Sequence, residues 1–151
     1  MRLHIVSNHD MKRLHVLVAE DDPDIRHMVV TGLRCDGYEV VEANDGAQLL
    51  DRVASSMLFG EAEPPDIIVS DVRMPGFSGL TVLSGLRSAG WTTPIILITA
   101  YGSEEVRKHA FDLGATALLE KPFDVDDLRT AVMNLAPVSA LRYKWYARDR
   151  S

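Results

Sequence analysis

Reactive side chains stand at the end of several short apolar runs. Glu20-Asp21-Asp22 follows His15-Val16-Leu17-Val18-Ala19, Asp71 follows Asp66-Ile67-Ile68-Val69-Ser70, and Thr99 follows Pro94-Ile95-Ile96-Leu97-Ile98. Lys121-Pro122 comes just after Ala115-Thr116-Ala117-Leu118-Leu119. Brought together, these are carboxylates, a hydroxyl and an ammonium, which is not the residue set of an apolar ligand pocket. Clustered carboxylates repel and raise one another's pKa unless a cation joins them. A hard divalent ion resolves this, and Mg²⁺ in particular is held by one or two carboxylates, water and a phosphate oxygen. With that charge in place a phosphoryl group is the natural further partner, and Lys121 and Thr99 supply an ammonium and a hydroxyl for its other oxygens. Asp71 is then the nucleophile, since a carboxylate can form an acyl phosphate. The short turn Met74-Pro75-Gly76 leaves it at an open edge. Taken alone, the acidic triplet would be a charged loop favouring the next helix N-terminus; its combination with Asp71, Thr99 and Lys121 carries the metal-site reading.

That convergence requires a particular scaffold. From Leu14 onward, short β-branched runs alternate with segments of helical period, the pattern of a parallel sheet covered by helices on both faces. In such a sheet ligands bind beyond the carboxyl ends of the strands. The runs ending near Ala19, Ser70 and Ile98 are apolar almost throughout and read as central strands, whereas the mixed run Tyr38-Glu39-Val40-Val41-Glu42 reads as a strand near an edge. Pro23 suits the first turn of a helix with Ile25, Met28, Val29 and Leu33 on one face and Gly37 as its stop. Asp45 caps a helix bearing Leu49, Leu50 and Val53, and Ser78 caps one bearing Leu83 and Leu86, ended by Gly90. Ser103 opens a fourth with Val106, Ala110 and Leu113, ended by Gly114; Asp124, with Asp127 three residues on, opens a fifth carrying Leu128, Val132 and Leu135. The expected fold is α/β, a doubly wound parallel sheet of five strand-helix pairs, (βα)5, over residues 14–136. Phe59 to Pro65 reads as an extended loop.

Composition narrows the function classes. The chain has 151 residues, 46% hydrophobic and 25% charged, enough for one domain with a real core. Its net charge of -6 disfavours nucleic-acid binding by the body, because duplex binding depends on neutralising phosphates. Residues 137–151 are the exception: Arg142, Lys144, Arg148 and Arg150 stand against Asp149, among Tyr143, Trp145 and Tyr146. This basic aromatic tail suits an anionic membrane or nucleic acid, and equally a helix docked on the acidic body, a dimer contact or the start of a linker. Residues 1–13 form an N-terminal extension. Cys35, alone, reads as a small residue packed near a helix end, and the five histidines show no ligand spacing. No run is apolar enough to span a bilayer; a cytoplasmic protein is expected.

Val18-Ala19-Glu20-Asp21-Asp22-Pro23-Asp24-Ile25-Arg26, Ser70-Asp71-Val72-Arg73-Met74-Pro75-Gly76, Ile98-Thr99-Ala100 and Glu120-Lys121-Pro122-Phe123, in that order, strongly resemble the receiver domain of two-component response regulators. The resemblance implies a flavodoxin-like fold with strand order 2-1-3-4-5. It makes Asp71 the phospho-acceptor and Glu20 with Asp21 the acidic pair, Asp21 ligating Mg²⁺ directly and Glu20 through water, with the Arg73 carbonyl as a further ligand. Asp22 falls outside the pair. Thr99 and the Ala100 amide would bond the phosphoryl group, Lys121 would pair with it, and Lys121-Pro122 would be cis. Relatives place an aromatic residue three positions before the lysine, where this chain has Leu118, so half of the usual switch is missing. Tyr101 could stand over the site entrance. Arg73 occupies a position that influences dephosphorylation in relatives, and it stands where an aspartyl-phosphate phosphatase expects a second acid.

The function the resemblance implies is that of a receiver taking a phosphoryl group from a sensor histidine kinase or phosphotransfer protein, catalysing only its own phosphotransfer and dephosphorylation. It would signal to an output partner, or as a homodimer, through a surface around the fourth helix, fifth strand and fifth helix. The alternative is the receiver part of a DNA-binding transcription regulator whose output domain is absent.

Overall fold

The computed structural model describes residues 13–100 and 102–136. Five parallel strands, β1 (His15–Ala19), β2 (Glu39–Ala43), β3 (Ile67–Asp71), β4 (Ile95–Thr99) and β5 (Ala117–Glu120), form one sheet in the order β2-β1-β3-β4-β5, the flavodoxin-like order expected. Helices α1 (Pro23–Cys35), α2 (Gly46–Val53), α3 (Gly79–Ser88), α4 (Glu104–Asp112) and α5 (Val125–Leu135) alternate with them. The apolar runs β1, β3 and β4 are the three inner strands. The N-terminal extension, the basic tail, His4, His9 and Tyr101 lie outside the described residues.

Successive side chains of a strand point to opposite faces, and both faces here are apolar. Val16, Val18, Ile67, Val69, Ile96 and Ile98 face α1 and α5, meeting Val29, Leu33, Leu128 and Val132. Leu17, Ile68, Ile95 and Leu97 face the other helices, meeting Leu49, Leu83, Leu86 and Ala110. Trp91, just after α3, packs partly against this second core.

The helix starts follow the sequence. Asp22, Asp45, Ser78, Ser103 and Asp124 all accept a hydrogen bond from an amide of the first turn. At α5 the bonded amide is that of Asp126 at 2.9 Å, not that of Asp127, whose amide goes to the Asp124 carbonyl. Several other expectations are corrected. Met28 and Leu50 are exposed, and Val30 is buried instead. Cys35 does end α1 but is exposed rather than packed. Tyr38 belongs to the close of α1, its amide bonded to the Leu33 carbonyl at 3.3 Å, so β2 starts one residue later. Ala115 likewise closes α4 through the Ala110 carbonyl at 3.0 Å, which delays β5. β3 and β4 each start one residue later than the apolar runs and end at Asp71 and Thr99, so both reactive residues close their strands as the sequence indicated. α2 continues into a π-helical turn over Ala54–Leu58 that periodicity did not indicate. The Ser56 hydroxyl bonds the Arg52 carbonyl at 2.8 Å there, and the Phe59 amide reaches back to Ala54 at 3.0 Å.

At the end of the sheet away from the strand carboxyl ends, one side chain ties three segments. The Arg87 guanidinium donates to the carbonyls of Gly114 (3.0 and 3.2 Å), Trp91 (2.7 Å) and Thr93 (2.8 Å). Each buried carbonyl left unsatisfied costs about 1–3 kcal/mol. Arg87→Ala should therefore lower the urea-unfolding free energy by about 3 kcal/mol. A loss below about 0.5 kcal/mol, the range of ordinary surface substitutions, would show that water replaces the guanidinium freely.

Candidate functional site

β1 and β3 are neighbours, with Ala19 paired to Ser70 across the ladder, so the residues that follow each partner, Glu20 and Asp71, arrive side by side at the carboxyl edge. Glu20 is 1% exposed and Asp71 4%, while Asp21 is exposed. One carboxylate oxygen from each of the three lies within 4.8 Å of the others. Two local contacts fix the Glu20 backbone: its amide donates to the Ala43 carbonyl at 3.1 Å, and Arg26 Nη1 donates to its carbonyl at 2.8 Å. Asp22 stands outside this group because its side chain is spent on capping α1, accepting from the Asp24 and Ile25 amides.

Lys121 reaches the cluster from the end of β5. Its Nζ lies 2.7 Å from Glu20 Oε1 and 2.7 Å from Asp71 Oδ2, and the Lys121-Pro122 bond is cis. The Lys121 amide donates to the Thr99 carbonyl at 2.8 Å, which holds the ends of β4 and β5 together. Thr99 is buried at the last position of β4, one residue beyond the Asp71–Ile98 pairing, and Ala100 follows it exposed. Arg73 is exposed in the β3–α3 loop and its amide faces Asp71 Oδ1 at 3.3 Å. The residues singled out from sequence thus sit on or beside one sheet edge. Leu118 pairs with Leu97 and packs partly against the core on the α4 side, so an aliphatic chain stands where the resemblance implied an aromatic one.

The electrostatics of the cluster are set by burial. Burial, then hydrogen bonding to and repulsion by Asp71, push the Glu20 carboxyl up to about 7, against the lowering effect of Lys121. Burial alone would lower the Lys121 ammonium, yet hydrogen bonds and charge from Asp71 and Glu20 outweigh it and hold its pKa above the usual value. One ammonium faces two buried carboxylates with a third nearby, an excess of negative charge. Glu20 Oε1 is buried and meets the Lys121 ammonium at 2.7 Å. Three carboxylates, each with an oxygen within 4.8 Å of the others, form an oxygen-only donor set that fits a hard divalent cation such as Mg²⁺.

Sequence reasoning did not assign roles to Arg26 or to Gly79. Gly79 opens α3 directly behind the acceptor, where a Cβ would overlap the Asp71 carbonyl oxygen and lie 2.9 Å from Ser70 Oγ. A glycine in a first helical turn, where alanine is the better helix former, was the available signal.

Known proteins share this arrangement. The family model described as response regulator receiver domain matches residues 16–133. The chain is 38% identical over 115 residues to the response regulator MprA of Mycobacterium avium, covering 76% of this chain and 47% of that protein. It is 32% identical over 127 residues to the regulatory protein AtoC of Escherichia coli, covering 84% of this chain and 26% of that protein. It therefore spans only a quarter to a half of those two relatives, but 95% of the sporulation initiation phosphotransferase F of Bacillus subtilis, to which it is 30% identical. Among solved structures, the chemotaxis response regulator CheY4 of Vibrio cholerae superposes with a TM-score of 0.71 at 31% identity, covering 83% of this chain and 100% of that one. The receiver domain of the Francisella response regulator 1452 gives the same score and identity over 82% of this chain and 96% of that one. With sheet order, acidic cluster and family match all in agreement, the chain belongs to the response regulator receiver domain family.

Proposed function

We propose that this receiver accepts a phosphoryl group on Asp71 in a Mg²⁺-dependent reaction, from a sensor histidine kinase or a phosphotransfer protein, and signals by a change of surface. The observation that carries the reading is the buried Asp71 carboxylate held between Lys121 and the acidic pair Glu20 and Asp21. Family membership supports it, as does the likeness to a Bacillus subtilis protein named as a phosphotransferase. Glu20, Asp21, Asp71 and the Arg73 carbonyl would hold the ion. When bound, Mg²⁺ supplies positive charge that neutralises the phosphoryl oxygens and the acidic cluster.

The residues of the chain do the rest. A carboxylate oxygen of Asp71 attacks phosphorus, forming the acyl-phosphate P–O bond, while the P–N bond of a phosphohistidine donor breaks and its electron pair returns to the imidazole. Lys121 stays within reach of the new charge, and its contact with Asp71 Oδ2 is exchanged for one to a phosphoryl oxygen. Thr99 and the Ala100 amide bond the phosphoryl group and couple it to the surface formed by α4, β5 and α5. With Leu118 at the position where relatives carry an aromatic residue, the response of that surface depends on Thr99 and Lys121. The receiver catalyses only its own phosphorylation and dephosphorylation, and the reaction is assigned to the cytoplasm, where histidine kinases present their phosphoryl groups.

Incubation with acetyl phosphate and Mg²⁺ should add one phosphoryl group to the intact mass of the protein. Chelation of the metal, or Asp71→Asn, should abolish the addition. Equal labelling of wild type and Asp71→Asn would reject Asp71 as the acceptor.

A further inference from the structure

We propose that Gly46 is a positioning residue for the phosphoryl site, holding the loop that follows Asp71 against the first turn of α2. The inference rests on the reading of Asp71 as phospho-acceptor and extends the site to a helix that contributes none of its assigned residues. Gly46 begins α2, and its amide donates to the Pro75 carbonyl at 2.9 Å. A Cβ at this position would overlap the backbone oxygen and nitrogen of Phe77 and stand 2.6 Å from its carbonyl carbon. Backbone atoms cannot swing aside as the end of a flexible side chain can. Gly46 is not among the glycines with positive φ, so its backbone conformation does not demand glycine. Alanine would otherwise be favoured there as the better helix former. Close approach to the loop is what excludes a side chain.

The contact is firm on both sides. Asp45 Oδ1 accepts from the Gln48 amide at 2.7 Å while Gln48 Oε1 accepts from the Asn44 amide at 2.9 Å, a reciprocal cap that fixes the start of α2. Gly76, with φ +90°, would bring a Cβ to 3.1 Å from the Ala47 nitrogen, a second point of near contact. Upstream in the same loop, the Arg73 amide faces Asp71 Oδ1. Pro75 is thereby held on α2, with Phe77 against it, while Arg73 is held on the acceptor, and through this loop the Gly46 contact governs where the Arg73 carbonyl lies.

Gly46→Ala should weaken Mg²⁺ binding about tenfold by calorimetry, the size of effect typical of groups that orient metal ligands. The Mg²⁺ concentration for half-maximal labelling by acetyl phosphate should rise to match, with the rate at saturating Mg²⁺ close to wild type. In the metal-free protein the amide resonances of Arg73 and Phe77 should shift. Gly85→Ala in α3, where a Cβ meets open space, is the control and should leave all three unchanged. Wild-type Mg²⁺ affinity in Gly46→Ala would overturn the proposal. Should that variant not fold, the wild-type protein decides: saturation with Mg²⁺ should slow hydrogen exchange at the Gly46 amide, and an unchanged rate overturns the coupling. Failure of wild type to become labelled at all would instead reject the phospho-acceptor reading, leaving the metal-free resonance shifts to judge the contact by itself.

Discussion

At pH 8 and without divalent metal, Glu20→Gln should be more stable than wild type by about 2–3 kcal/mol in urea unfolding, and the difference should vanish only at about pH 4 and below, under the unfolded-state pKa of 4.5. The Glu20 carboxyl titrates near 7 in the fold against an ordinary 4.5, because it is buried beside Asp71. A raised folded-state pKa means that the contribution to stability is fully present below the unfolded value. It is lost as pH rises through the folded one. At about 1.4 kcal/mol per pKa unit, this sets a ceiling of roughly 3 kcal/mol. Glutamine keeps the shape and cannot acquire the charge, so the pH slope between about 4.5 and 7 should flatten. On the proposed binding of Mg²⁺ to the ionised cluster of the folded state, the ion should restore wild type above pH 7. The variant should gain much less. A stability difference independent of pH would contradict the assignment of this slope to Glu20.

Removing the cation should act in the opposite direction. Lys121 Nζ is 2.7 Å from each of two buried carboxylates. Lys121→Ala leaves them facing each other and Asp21, and breaking a buried ion pair from one side costs about 3–5 kcal/mol. Because Lys121 itself retains some exposure, a loss near the lower end, about 3 kcal/mol, is expected in metal-free protein at neutral pH. Mg²⁺ should recover most of it by taking over the neutralising role, and the variant should show the larger stabilisation by metal. A loss below about 1 kcal/mol, the size of an exposed pair, or no recovery with Mg²⁺, would contradict this picture of the site.

The two predictions rest on residues that the sequence displayed openly. β1, β3 and β4 read as inner strands because their runs are apolar almost throughout, the pattern of a strand buried on both faces. The helix starts were visible through Pro23 in the first turn of α1 and through the single opening residues Asp45, Ser78, Ser103 and Asp124. The site was legible for a related reason: in a parallel sheet each functional residue falls at a strand end, so Glu20, Asp71, Thr99 and Lys121 could be placed together from their order alone.

What escaped the sequence depends on contacts between distant residues. Met28 and Leu50 carry apolar side chains on helix positions that turn outward, and the helical period does not reveal which flank of the stripe meets the sheet. In the π-helical turn after α2 the Ser56 hydroxyl donates to the Arg52 carbonyl, a contact that no spacing rule marks. Strand starts moved where helix closure at Tyr38 and Ala115 decided the boundary. Gly46 looked like an ordinary residue of a helix start. Its meaning lies in the backbone of Phe77, thirty-one positions later.

The most direct measurement is to find which atom receives the phosphoryl group. Protein treated with acetyl phosphate and Mg²⁺ is reacted with hydroxylamine, which converts an acyl phosphate to a hydroxamate, and the modified residue is located by tandem mass spectrometry. The account predicts a hydroxamate at Asp71 alone, absent when the metal is chelated. A hydroxamate at another carboxylate, or a phosphate that survives hydroxylamine, would contradict it.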